Sequence, residues 1–196
     1  MKVLESGMPE PGMWHTFFDP IAILDAMRLT HDVRNAVDFG CGYGTFAIPA
    51  AKRIQGTLHG FDIDPAMIEA TRSFAEQENV RNVQLHLCDF LTDGTGLDAA
   101  SVDYVMLFNI LHAEYPLRLL REAHRILLPG GNVGAMHWNY DPKTPRGPPM
   151  NIRPRPEQCA QWAETAGFII TKRHVDLPPY HYGIVAEKEN KKGNKR

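Results

Sequence analysis

The stretch Val37-Asp38-Phe39-Gly40-Cys41-Gly42-Tyr43-Gly44-Thr45, "VDFGCGYGT", sets three glycines in alternation directly after a short apolar run. An apolar run ended by glycine reads as a buried strand entering a tight turn. Bare backbone of this kind serves a nucleotide phosphate, another nucleotide-like cofactor, or a bend with no ligand at all. A dinucleotide turn would read GxGxxG and a phosphate loop GxxxxGK[ST], and neither pattern is here. The first basic residues after the turn, Lys52 and Arg53, stand too far along the helix to meet a phosphate. Asp38 works against one as well, because two anions close together repel. The turn therefore suits a cationic or zwitterionic ligand.

The segments on either side alternate in type. Asp19-Pro20 reads as an N-cap followed by a first-turn proline, and Ile21, Leu24 and Met27 recur after it at helical spacing. "NAVDF" is a strand, and Gly44 to Ile54 turns helical, with Pro49 either in its early turns or kinking it. "TLHGFDI" is a second strand, Asp64-Pro65 a second cap-plus-proline start, and residues 66–77 a helix. "NVQLHLC" alternates as a third strand, while "VDYVMLFNI" is continuously apolar and so buried on both faces. Residues 117–128 read as a helix stopped by Pro129-Gly130-Gly131, and "NVGAMHW" as a fifth strand. A helix over 156–166 and two β-like runs, "FIITKRHVDL" and "HYGIVAEK", close the pattern. The short "PPY" between those runs predicts an antiparallel hairpin. Strands alternating with helices imply an α/β fold, a doubly wound and mostly parallel sheet of seven strands.

Between strand five and the last helix lies "YDPKTPRGPPMNIRPRP", with six of the chain's 15 prolines. Proline removes ladder donors and fixes φ, so the segment 140–156 is a stiff loop, and loops of that length are usually functional. With 196 residues and 43% hydrophobic composition, the chain supports one well-buried domain, read as 1–188 with a lid or cap segment at 1–19 and a polar tail at 189–196. A net charge of −2 provides no long-range pull on nucleic acid or an anionic membrane. Cys41, Cys88 and Cys159 form no CxxC pair, so no metal site is expected. The chain reads as a soluble, cytoplasmic monomer or homodimer with no nucleic-acid or membrane partner.

S-adenosylmethionine meets the requirement of the glycine turn, since it carries a sulfonium and an amine and no phosphate. The chain resembles the class I S-adenosylmethionine-dependent methyltransferases, specifically small-molecule enzymes of the type 11 kind, over roughly residues 13–188. "VDFGCGYGT" resembles that family's first motif and "GFDIDPAMI" its second. "LCDFL" is similar to the third, "VDYVMLFNILH" to the fourth, and "HRILLPGGNVG" to the run before strand five. The resemblance implies a cofactor site of Asp38, Gly40, Gly42, Gly44, Asp62, Ile63, Asp89, Phe90 and Asn109. The chemistry agrees: glycines admit backbone approach, Asp38 can accept from an ammonium, and Asp62 at the end of strand two can accept ribose hydroxyls. Asp89 is then placed for the adenine amine, with Ile63 and Phe90 beside the ring.

The acceptor side is assigned to residues around the same crevice: Trp14 and Phe18 before the first helix, Tyr140, and Arg153 and Arg155 on the proline loop. Arginines there would suit a carboxylate or phosphate on a small-molecule acceptor. Methyl transfer from a sulfonium needs alignment more than acid–base help. Where a base is required, His112 or His137 is expected to supply it, because imidazole titrates near neutral pH. The Asn/Asp-Pro-Pro-Tyr/Phe box found in methyltransferases of planar amines is replaced here by Asn109-Ile110-Leu111-His112. Two rival readings stay open: a cofactor-binding regulatory domain without turnover, and an NAD-type oxidoreductase.

Overall fold

The computed structural model describes residues 17–190. Trp14, most of the 1–19 segment and residues 191–196 of the tail lie outside the described residues. Seven strands form one sheet in the order β3-β2-β1-β4-β5-β7-β6. They are β1 (Ala36–Phe39), β2 (Leu58–Asp62), β3 (Val83–Leu87), β4 (Val102–Phe108), β5 (Leu127–Trp138), β6 (Phe168–Leu177) and β7 (His181–Lys188). The first five run parallel, and β7 is antiparallel to both β5 and β6. Strand order reverses between β1 and β4, and the carboxyl ends at such a switch point are where open α/β sheets bind ligands.

Alternation along each strand divides the core in two. Tyr104, Met106 and Phe108 of β4 face a cluster built with α1 (Pro20–Ala26), α2 (Ala47–Arg53) and α3 (Pro65–Gln77). Val105 and Leu107, from the same strand, face α4 (Pro116–Ile126) and α5 (Pro156–Thr165). Every residue of β4 but Asp103 is buried, as its continuous apolar run requires. Asp19 accepts from the N–H groups of Ile21 and Ala22, and Asp64 accepts from Ala66 N–H, so both expected caps form.

Two boundaries differ from the sequence reading. Helix α2 begins at Ala47, which leaves Gly44 to Phe46 in the turn and puts Pro49 in the helix's first turn, where no intrahelical donor is missed. Helix α4 ends at Ile126, and β5 starts at once with Leu127, through Pro129-Gly130-Gly131. Those glycines look like a helix stop in sequence. A Cβ on Gly131 would lie 2.9 Å from Leu128 O and 3.0 Å from Asp103 O, so a close backbone approach inside the sheet requires glycine there.

Candidate active site

Residues Gly40, Gly42 and Gly44 hold φ values of +74°, +54° and +80°, a left-handed region that other residues enter only with strain. The turn is pinned from both sides. Gly40 N–H and Cys41 N–H donate to Phe61 O at 2.8 and 2.9 Å, tying it to β2. Thr71 Oγ1 of α3, fully buried, donates to Gly42 O at 2.7 Å. A Cβ on Gly44 would stand 3.0 Å from the Thr71 methyl, so helix α3 packs where that side chain would be. Sequence reasoning missed Thr71, since nothing local marks a threonine 29 residues beyond the turn it braces.

The two expected acids converge on this turn. Asp62 Oδ2 accepts from Gly42 N–H at 2.9 Å, and Oδ1 accepts from Asp64 N–H at 3.0 Å. Burial raises its pKa, opposed by the backbone N–H groups that solvate the carboxylate. Asp38 is 3% exposed, and burial followed by the neighbouring Asp62 charge lifts its pKa to about 7. No basic side chain among the described residues offsets it. An under-solvated carboxylate beside a bare glycine turn fits the ammonium of S-adenosylmethionine, and Asp62 fits its ribose. When bound, that cofactor supplies an electrophilic methyl group on a positively charged sulfur.

Asp89 sits at the β3 end, its Oδ1 accepting from Leu91 and Thr92 N–H and its Oδ2 from Thr92 Oγ1. Ile63 is half-buried at the end of β2. Phe90 follows Asp89 directly. Its ring is buried, 5.0 Å from the Phe39 ring and 6.4 Å from Phe61, and so joins the turn's strand ends to the core. Cys41 lies in the turn with its thiol pKa raised by burial and by Asp38 and Asp62, the reverse of a nucleophile's environment.

Asn109 follows β4 with φ +54°, an unusual value for a non-glycine residue, and its N–H donates to Met136 O at 2.8 Å. His112 and His137 meet with Nδ1 and Nε2 3.2 Å apart. Burial pushes His112 down to about 4 and His137 well below its ordinary value, with the His112 charge as the second cause for His137. The near-neutral titration expected of these two residues is thus removed by desolvation. They form a neutral imidazole pair at physiological pH.

Phe17 and Phe18 pack over the ends of β5 and β7. Phe17 meets Trp138 edge-on at 5.5 Å, and Phe18 meets Phe46 at 5.0 Å and His181 at 5.2 Å. Arg153 corrects another expectation. Its Nε and Nη2 donate to Pro148 O at 3.0 and 2.8 Å, and Nη2 reaches Arg146 O at 3.3 Å. Its Nη1 donates to Asn139 O, Asp141 O and Thr144 Oγ1 at 3.0, 3.2 and 2.6 Å. Every guanidinium nitrogen is engaged inside the loop, which Arg153 holds together instead of offering charge to an acceptor. Arg155 lies 3.7 Å over the exposed Tyr140 ring, a cation–π contact joining the two ends of the loop.

Residues 36–131 match a family model described as a methyltransferase domain. Among curated proteins, the chain is 43% identical over 72 residues to aklanonic acid methyltransferase DauC of Streptomyces sp. (strain C5), covering 36% of this chain and 32% of that protein. It is 40% identical over 114 residues to the ribosomal protein L11 methyltransferase of Photorhabdus laumondii subsp. laumondii, covering 57% and 35%. The chain thus spans about a third of the length of these relatives. Its fold matches a SAM-dependent methyltransferase from Aquifex aeolicus with a TM-score of 0.80 at 20% identity, over 91% of this chain and 93% of the other. The methyltransferase-domain match begins at the glycine-turn strand, and the sheet ordered 3-2-1-4-5-7-6 has the fold of the S-adenosylmethionine-dependent methyltransferases.

Proposed function

We propose that the chain transfers the methyl group of S-adenosylmethionine to a small-molecule acceptor by in-line displacement. The observation that carries this reading is the covering of the acceptor side. Phe17, Phe18, Trp138, Tyr180 and His181 pack against one another at the ends of β5 and β7. The loop over residues 139–153 is held closed by Arg153. An aromatic enclosure under a preorganised loop excludes water and aligns a compact ligand, which is most of what this displacement requires. DauC, named for aklanonic acid, supports a small acceptor, whereas the L11 relative is named for a protein one. In this reading Asp38, the glycine turn and Asp62 hold the cofactor, and Asn109, expected from the sequence at the cofactor, borders the acceptor as well, with Tyr140 and Arg155.

Among the described residues no helix is long and apolar enough to cross a membrane, and a cytoplasmic location belongs to the same proposal. The test is incubation with methyl-labelled cofactor and a metabolite extract alongside ribosomal protein and RNA. Label in a low-mass product supports the proposal. Label only in polypeptide or RNA, or cofactor binding with no transfer at all, overturns it.

A further inference from the structure

At the end of β4 and the start of β7, two side chains from distant parts of the sequence meet. Asn109 Nδ2 lies 3.5 Å from His181 Nε2. Asn109 Oδ1 and His181 Nδ1 are both sealed from solvent and have no hydrogen-bond partner among the described residues. Buried polar atoms are ordinarily satisfied, so two orphans on one pair need a reason. Poor placement is not that reason, because both residues are firmly held. His181 pairs through its backbone with Trp138 of β5 and with Leu177 of β6, and its ring sits between Trp138 at 4.2 Å and Phe18 at 5.2 Å. Asn109 is kept in a left-handed conformation with its N–H bonded to Met136 O. Backbone strain of that kind persists where the surrounding structure imposes it, and it collects at functional sites.

The hydrogen-bonding sense of the pair follows from chemistry. Burial, followed by the Arg153 charge, pushes His181 down to about 3, so the ring is neutral near pH 7. An amide NH2 donating to Nε2 requires that nitrogen to be bare, which puts the ring proton on Nδ1. The couple therefore presents one donor, His181 Nδ1–H, and one acceptor, Asn109 Oδ1. The ionised group whose field reaches both His137 and His181 is the cation Arg153. A positively charged ligand is disfavoured there.

We propose that Asn109 and His181 are the residues that recognise the methyl acceptor, and that this acceptor is a neutral hydroxy-carbonyl compound. Its hydroxyl donates to Asn109 Oδ1 and its carbonyl accepts from His181 Nδ1–H. The inference rests on the small-molecule reading above and narrows it to an uncharged oxygen compound, against amines.

The test uses three matched probes: 3-hydroxyacetophenone, 3-methylacetophenone and 3-acetylbenzylamine, the last a cation at neutral pH. Each is titrated by calorimetry into the whole chain saturated with S-adenosylhomocysteine. The hydroxyl probe is expected to bind at least tenfold more tightly than the methyl probe, with the cation weakest. His181→Phe should abolish that ordering while S-adenosylhomocysteine affinity stays within twofold, which shows that the fold survives. His181→Asn, whose amide NH2 replaces the Nδ1 donor, should restore much of it. Equal binding of the three probes, binding of none, or an ordering that survives in His181→Phe overturns the inference. The last result would mean that a buried water, not a ligand, satisfies the two orphan atoms. Those outcomes are separate from the failure of the small-molecule reading, which shows as label on polypeptide or RNA.

Discussion

Asp38 and Asp62 present the same functional group in different surroundings, and each leads to its own measurement. Asp62 is solvated by two backbone N–H groups and stands ready to accept more. Replacing it with alanine leaves Gly42 N–H without its partner and removes the hydrogen bonds assigned to the ribose. Charged hydrogen bonds contribute about 1.5–3 kcal/mol each, so Asp62→Ala should weaken S-adenosylhomocysteine binding tenfold or more by calorimetry. Unchanged affinity would mean the ribose lies elsewhere. Asp38, with its pKa lifted to about 7, is largely protonated at pH 5.5 until a cation arrives. Binding then requires proton release, and affinity should rise as pH rises from 5.5 to 7, about tenfold from the change in ionised fraction. The ligand ammonium stays protonated across this window, and the depressed histidines stay neutral. Asp38→Asn should bind more weakly at pH 7 and lose the slope; a slope that persists in that variant assigns the proton to another group. Both acids were legible in the sequence because the strand end and the glycine turn mark them locally. Thr71, which braces the turn, and the pairing of His181 with Asn109 were not, because a contact between residues far apart in sequence leaves no local pattern.

At the scale of elements, apolar patterning located every strand and helix, and caps at Asp19 and Asp64 set two helix starts. Where the reading slipped, at Pro129-Gly130-Gly131, glycine answers a backbone approach inside β5 rather than a turn. The proline loop was legible as a stiff segment but not in its internal chemistry, because three arginines on a loop look alike until one is seen to be buried. Arg153 is 7% exposed and satisfies carbonyls that proline-rich backbone cannot pair in a ladder. Its fork of donors is not reproduced by lysine, which has a single ammonium. Arg153→Met should therefore free several buried carbonyls, at about 1–3 kcal/mol for each left unsatisfied, and loosen the loop. Limited trypsin digestion is the check: cleavage after Arg146 should accelerate at least tenfold in the variant, with S-adenosylhomocysteine affinity little changed. A loop equally resistant without Arg153 would show that its prolines alone hold it. Gly147, at φ +115°, belongs to the same arrangement, since a Cβ there would lie 2.7 Å from Arg153 Nη2 and 2.8 Å from the Trp138 ring.

For the molecule as a whole, the buried titrating groups pull stability in opposite directions with pH. His112, His137 and His181 are lowered from 6.5, so below that pH the unfolded chain takes up protons that the fold refuses. Stability is then lost as pH falls, at about 1.4 kcal/mol per pH unit for each histidine. Asp38 has the contrary sign. Its folded pKa of about 7 exceeds the unfolded 3.8, so between those values the fold holds a proton that the unfolded chain has lost, and stability falls as pH rises. Asp62, also raised, acts in the same sense. The three histidines outweigh the two acids, and the half-buried His59, His86 and His124, lowered as well, add to the excess. The ligand-free protein should therefore lose roughly 2 kcal/mol per pH unit between pH 6 and 5, measured as the fall in unfolding free energy from urea titrations at closely spaced pH. His181→Asn removes one of the protons taken up on unfolding and should reduce that slope by about 1.4 kcal/mol per unit. A flat profile over this range would place at least two of the three imidazoles in contact with water. The His181→Asn comparison tells whether His181 is one of them, so one titration bears on both the packing of the sheet's carboxyl edge and its chemistry.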